Sequence, residues 1–128
     1  MTTMKHLKIF GVEQFGPAVV LTPEGDASNF RYRDLQAEAN SLRAHLMKPG
    51  CQHLIVDLHR MQYFGSEFIG AIVSMLREVR ARGGKAMFCS ANEQMLQVLQ
   101  NMSLFRLWPH YATREEALAS LGEPTSAS

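Results

Sequence analysis

Ser66 and Glu67, in the stretch Gln62–Ala71 (QYFGSEFIGA), follow an apolar run and open a helix-like pattern. A serine at a strand-to-helix junction presents its hydroxyl. It could attack as a nucleophile, accept a phosphate, or cap the helix. A nucleophile elbow needs glycines two residues to either side of the serine, so that the strained turn can close. Here those positions hold Phe64 and Phe68, and the sequence places no Asp/His pair to assist. A catalytic role is therefore not expected, and the chain reads as a non-enzyme. Capping is expected: serine is a favoured N-cap, worth about 1 kcal/mol, and Glu67 in the first turn suits the helix dipole.

Other reactive residue types form no constellation. Cys51, His53 and His59 are close in sequence, but six residues of strand at about 3.3 Å each put the two histidines roughly 20 Å apart. His6, His45 and His110 are scattered, so no metal site is expected. Gly83-Gly84 ends a helix instead of starting one, so no phosphate-cradling loop and no cofactor are expected. Arg77, Arg80, Arg82 and Lys85 suit the C-terminal end of that helix, and Met75, Met87, Met95 and Met102 read as core filler. Asp57, inside the apolar run LIVDL, is the exception. A carboxylate in a buried strand needs partners, or a place at the strand end near water.

The elements that position these residues fit one domain. The chain has 128 residues, 46% hydrophobic and 20% charged, with a formal net charge of +1. That is a folded composition, and it gives no reason to expect nucleic acid or an anionic membrane as partner. Two cysteines do not make a disulfide framework. The start, MTTMKHLKIFG, does not read as a signal peptide. The longest apolar stretch, 68–76, is about half the ~20 residues of a membrane span. A cytoplasmic location is expected, with one domain over 1–121 and a disordered tail over 122–128.

Ile9–Val12 and Ala18–Thr22 flank Gly16-Pro17 and predict a hairpin. Leu35, Ala39, Leu42 and Leu46 share one helical face, with Arg31, Asp34, Glu38 and Arg43 mostly off it. Leu54-Ile55-Val56 reads as a strand covered on both faces. Ile69, Ile72, Val73, Leu76 and Val79 predict a helix stopped by Gly83-Gly84. Residues 86–89 read as a buried strand. Asn92–Met102 is a weaker helix with Met95, Leu99 and Met102 on one side. Phe105–Trp108 is expected as a brief edge strand ended by Pro109. Thr113 to Glu116 forms a capping box that opens a last helix to Leu121. The order predicts an α/β fold: a small, mostly parallel sheet of four to five strands with an antiparallel edge.

Three stretches taken together resemble the STAS domain, the family of bacterial anti-sigma factor antagonists that also forms the cytoplasmic tail of sulfate transporters. They are HLIVDLHRMQYFGSEFIGAIVSML, VRARGGKAMFCSANEQMLQVLQNMSLFRLWPHY and TREEAL. The resemblance runs from Ala18 to Leu121. It implies helices mainly on one side of the sheet. It also implies a regulatory module whose protein partner is an anti-sigma factor or serine kinase of the histidine-kinase-like ATPase fold. The family's loop commonly reads Asp-Ser-Ser-Gly-Leu-Gly; aligned on Gly70, this chain reads Gly65-Ser66-Glu67-Phe68-Ile69-Gly70. Glu67 falls at the usual phosphoacceptor, and it carries one charge against roughly −1.5 to −2 for phosphoserine. Ser66 is the remaining phosphorylation candidate. By resemblance, Asp26, Ser28 and Asn29 join Phe64, Gly65, Ser66, Glu67 and Phe68 in the partner-binding patch. Phe64 and Phe68 are expected either as exposed anchors or as core. The alternative function is a small-ligand or anion-binding module, which Glu67 would oppose by repulsion.

Overall fold

The computed structural model describes residues 9–24, 32–61 and 66–122, with the backbone alone at 32, 33, 66, 67 and 105. Five strands form one sheet in the order β1 (Phe10–Phe15), β2 (Ala18–Pro23), β3 (His53–Asp57), β4 (Ala86–Cys89) and β5 (His110–Tyr111). β1 pairs antiparallel with β2, and every later pair is parallel. The expected hairpin turns at Gly16, whose φ of 59° is a left-handed conformation that glycine adopts without strain. The helices are α1 (Tyr32–Leu46), α2 (Ser66–Ala81), α3 (Glu93–Asn101) and α4 (Arg114–Ser120).

Strand alternation divides the core into two layers. Val19, Leu21, Leu54, Val56, Ala86 and Phe88 face α1, α2 and α3 in a large apolar cluster. Ala18, Val20, Ile55, Met87 and Cys89 face the other way, where Ala117 and Leu118 of α4 cover them. Three helices thus share one face and one short helix takes the other, which fits the expected one-sided packing.

α2 ends as its glycines predict. Gly83 has φ 87°; its N–H donates to the Arg80 carbonyl at 3.0 Å, and the Gly84 N–H donates to Val79 at 3.0 Å. This is a Schellman stop. A Cβ at Gly84 would lie 1.8 Å from the Gln52 carbonyl oxygen, so no other residue fits there without moving the backbone.

Three expectations are corrected. Residues 105–108 are not a strand. Ser103 turns the chain at φ 58°, and Leu104–Arg106 make one 3₁₀ turn. The Leu107 and Trp108 N–H groups both donate to Leu104, and Trp108 is buried. Pro109 precedes the edge strand instead of ending it, with its carbonyl accepting from the Phe88 N–H at 2.9 Å. Met102 does not continue the Met95–Leu99 face: α3 stops at Asn101, and Met102 is exposed. Glu38 is buried, although its type placed it off the apolar face. Its carboxylate accepts the Ile9 N–H at 2.9 and 3.1 Å and the Phe10 N–H at 3.3 Å, joining α1 to the edge of β1.

Candidate functional site

The parallel strands β2, β3 and β4 end on one rim of the sheet, the position where open α/β sheets place their functional loops. From β3 the chain runs through Leu58–Met61 to α2, whose first helical residue is Ser66. The cap expected at Ser66 thus falls at the helix boundary, and its side chain lies outside the described residues. Asp26, Ser28, Asn29, Phe64 and Gly65 lie outside the described residues, as do the side chains of Ser66 and Glu67. Phe68 is described, and it belongs to the core. It is 3% exposed, and its ring lies 5.5 Å from that of Phe10. Phe68 is therefore part of the core and not an exposed anchor.

The stem of the loop is held by a dense set of hydrogen bonds. The Leu58 N–H donates to Cys89 at 2.9 Å, and the Met61 N–H donates to Leu58 at 3.1 Å. Asn92, which caps α3 through the Met95 N–H, also donates from Nδ2 to the Met61 carbonyl at 3.4 Å. Arg60 pairs with Glu24 at 3.3 Å on the surface.

Asp57 resolves the question its position raised. Its side chain is only 3% exposed. Oδ1 accepts the His59 backbone N–H at 3.0 Å and lies 2.8 Å from His59 Nδ1. Oδ2 accepts Arg114 Nε at 2.9 Å. The same guanidinium reaches Glu13 Oε1 at 2.9 Å and donates to Thr22 Oγ1 at 3.3 Å. One arginine at the start of α4 thus joins β1, β2 and β3. Burial alone would raise the Asp57 pKa, but the His59 hydrogen bonds and the Arg114 guanidinium outweigh it and hold the carboxyl below its ordinary value. Burial likewise opposes the Arg114 charge, and the Asp57 and Glu13 carboxylates overcome it and raise the pKa. Beside them, burial and the Asp57 charge push the Cys89 thiol up to about 12, which makes it unreactive.

An open cleft of about 420 Å³ lies over this network, lined in part by Glu13, Thr22, Glu24, His59, Arg60 and Arg114. Its cations are matched by carboxylates, so the described lining offers no surplus positive charge for an anion. Among the described residues, no three His, Cys, Asp or Glu side chains are grouped to hold a metal ion. No helix there is long and apolar enough to cross a membrane. The sequence pointed to Asp57 but not to Arg114 or Glu13, which lie 57 and 101 residues from their partners in the chain. Arg114 follows the capping threonine and reads, on sequence alone, as an ordinary first-turn residue.

The STAS domain family model matches residues 12–117. The chain belongs to the STAS domain family. Over 71 residues it is 27% identical to the anti-sigma F factor antagonist of Paenibacillus polymyxa; the match covers 56% of this chain and 61% of that relative's length. The fold is similar to that of the anti-sigma factor antagonist SpoIIAA in its unphosphorylated form. The TM-score is 0.74 at 18% identity, covering 88% of this chain and 96% of the other. It is also similar to the phosphorylated form of the Bacillus cell fate determinant SpoIIAA, with a TM-score of 0.69 at 19% identity, covering 88% and 98%. At these identities the two structures speak for the STAS fold.

Proposed function

We propose that this STAS domain is a non-enzymatic regulatory module of the cytoplasm. It docks an anti-sigma factor or serine kinase of the histidine-kinase-like ATPase fold through the β3–α2 loop and the start of α2. The observation that carries the reading is the braced loop stem leading to Ser66 and Glu67 in a chain related to an anti-sigma factor antagonist. Phe64, Gly65, Ser66 and Glu67 supply the docking surface, with Asp26, Ser28 and Asn29 beside them. Phe68 contributes by seating the first turn of α2.

Glu67 changes the control of such a module. A serine kinase transfers phosphate to a hydroxyl, which Glu67 lacks, and the carboxylate carries a fixed charge where the family has a switchable one. Successive residues entering a helix point about 100° apart, so a kinase directed at position 67 does not meet the Ser66 hydroxyl. The module is therefore not switched by phosphorylation at position 67. Affinity capture with the tagged protein in lysate of its own cells tests the docking. The expected capture is an ATPase-fold partner that is lost with Glu67→Arg; capture unaffected by that change would place the interface elsewhere. Phosphopeptide mapping of the same material tests the control, and substantial phosphate on Ser66 would show a surviving switch.

A further inference from the structure

Asp57 divides its two oxygens between two parts of the molecule. Oδ1 holds the turn of the loop stem at His59, and Oδ2 holds Arg114 at the start of α4. Nothing in the packing of the apolar core requires this division: Ala117 and Leu118 already seat α4 on the sheet. Arg114 spends Nε and both terminal nitrogens on acceptors from three different strands. A lysine, with a single ammonium, cannot reproduce that fork.

We propose that Arg114 is a positioning residue for the docking loop. From the start of α4 it fixes the Asp57 carboxylate, and through it the posture of His59–Met61, so that α4 and the loop move together. This rests on the docking reading above. The physical reason is the burial of Asp57. Stripped of Arg114, a carboxylate that is 3% exposed either takes a proton or turns toward water. Both outcomes weaken Oδ1 as the acceptor for the His59 N–H, and the stem loses the bond that closes its first turn. The remaining restraints act at other atoms: Cys89 on Leu58, Leu58 and Asn92 on Met61, and Glu24 on Arg60. Displacement of α4, by a partner or by an attached segment, withdraws Arg114 and produces the same loosening. Binding at the loop is then linked to the seating of α4.

Amide hydrogen exchange, followed by NMR in Arg114→Met with Arg77→Met as an exposed control, tests this without any partner. The expected result is that the His59 and Met61 amides exchange about tenfold faster than can be accounted for by the change at Leu76 and Val79, which report global opening. The Asp57 carboxyl carbon should also titrate at higher pH than in wild type. Loop amides that accelerate only as much as Leu76 and Val79, or an unmoved Asp57 titration, overturn the proposal. Should Arg114→Met not fold, Arg114→Lys serves, because it keeps the charge while losing the fork. It should loosen the same amides by a smaller factor, and a stem unchanged from wild type overturns the proposal. Captured ATPase-fold partner should fall in the variant whose stem loosens, and unchanged capture overturns the link to docking. Failure of wild type itself to capture such a partner counts against the docking reading alone, since the exchange result stands by itself.

Discussion

The two faces of the sheet are stabilised by different physics. The first, under α1, α2 and α3, is a broad layer of apolar side chains. The carboxylate buried near it, Glu38, is bound by backbone N–H groups. The second, under α4, is a small apolar patch closed by charges at the rim where β2 and β3 end. Stability on the first face is distributed, so each side chain contributes through area and fit. On the second the polar part is concentrated in one guanidinium and the two carboxylates it joins. The concentrated face adjoins the loop that leads to Ser66. A charged network can hold a loop at one geometry while remaining sensitive to protonation, which an apolar layer is not.

The largest expected effect belongs to the first face. Phe88→Ala removes a fully buried ring between the sheet and its helices and should cost about 3–5 kcal/mol in urea unfolding. A loss of under about 1 kcal/mol would mean the layer collapses around the gap and is softer than its packing indicates.

Next comes Asp57→Asn, which keeps the shape but removes the charge and one acceptor. It should cost about 2–3 kcal/mol, because Arg114 is left under-compensated in a largely buried setting. The pH profile sharpens this contrast. Because the folded Asp57 pKa is lowered, its contribution is complete above the unfolded value near 3.9 and is lost as pH falls through the folded one. His45 and His110 give a separate, higher step. Burial lowers both, His45 with help from Lys48, so the unfolded chain takes protons below about pH 6.5 that the folded chain refuses. Stability should fall as pH drops from that point. Thermal melts of Asp57→Asn should keep the histidine step and lose much of the acid one; an unaltered acid step would remove Asp57 from the account.

A smaller effect is expected at Thr113, whose hydroxyl caps α4 by accepting the Glu116 N–H at 3.1 Å. Thr113→Ala should cost about 1 kcal/mol in the same urea titration. A cost well above this would show that the cap also holds Arg114 in register. The smallest belongs to Arg60, paired with Glu24 on the surface at 61% and 45% side-chain exposure. Arg60→Ala should change stability by less than about 0.5 kcal/mol, falling further in high salt.

Periodicity carried most of the fold. The hairpin around Gly16-Pro17, the two-faced strand at Leu54–Val56, the Gly83-Gly84 stop and the Thr113 cap were legible because each is a local rule. A turn needs a permissive φ, a strand alternates its faces, and a helix end needs its free groups satisfied. The segment from Phe105 to Trp108 departs from its local pattern. Its apolar residues suit a short strand, but burial of Trp108 and the turn at Ser103 decided otherwise. The sequence by itself also determined that a serine and a glutamate stand side by side where β3 leads on to α2, since that depends on residue identity and order alone. The tertiary structure alone decided that Phe68 is core, that Glu38 is buried, and that Arg114 meets Asp57, Glu13 and Thr22. Those facts depend on which strands lie side by side and which helix crosses them. Residues up to 101 positions apart come within hydrogen-bonding distance only after the sheet has formed, and no local spacing encodes that meeting.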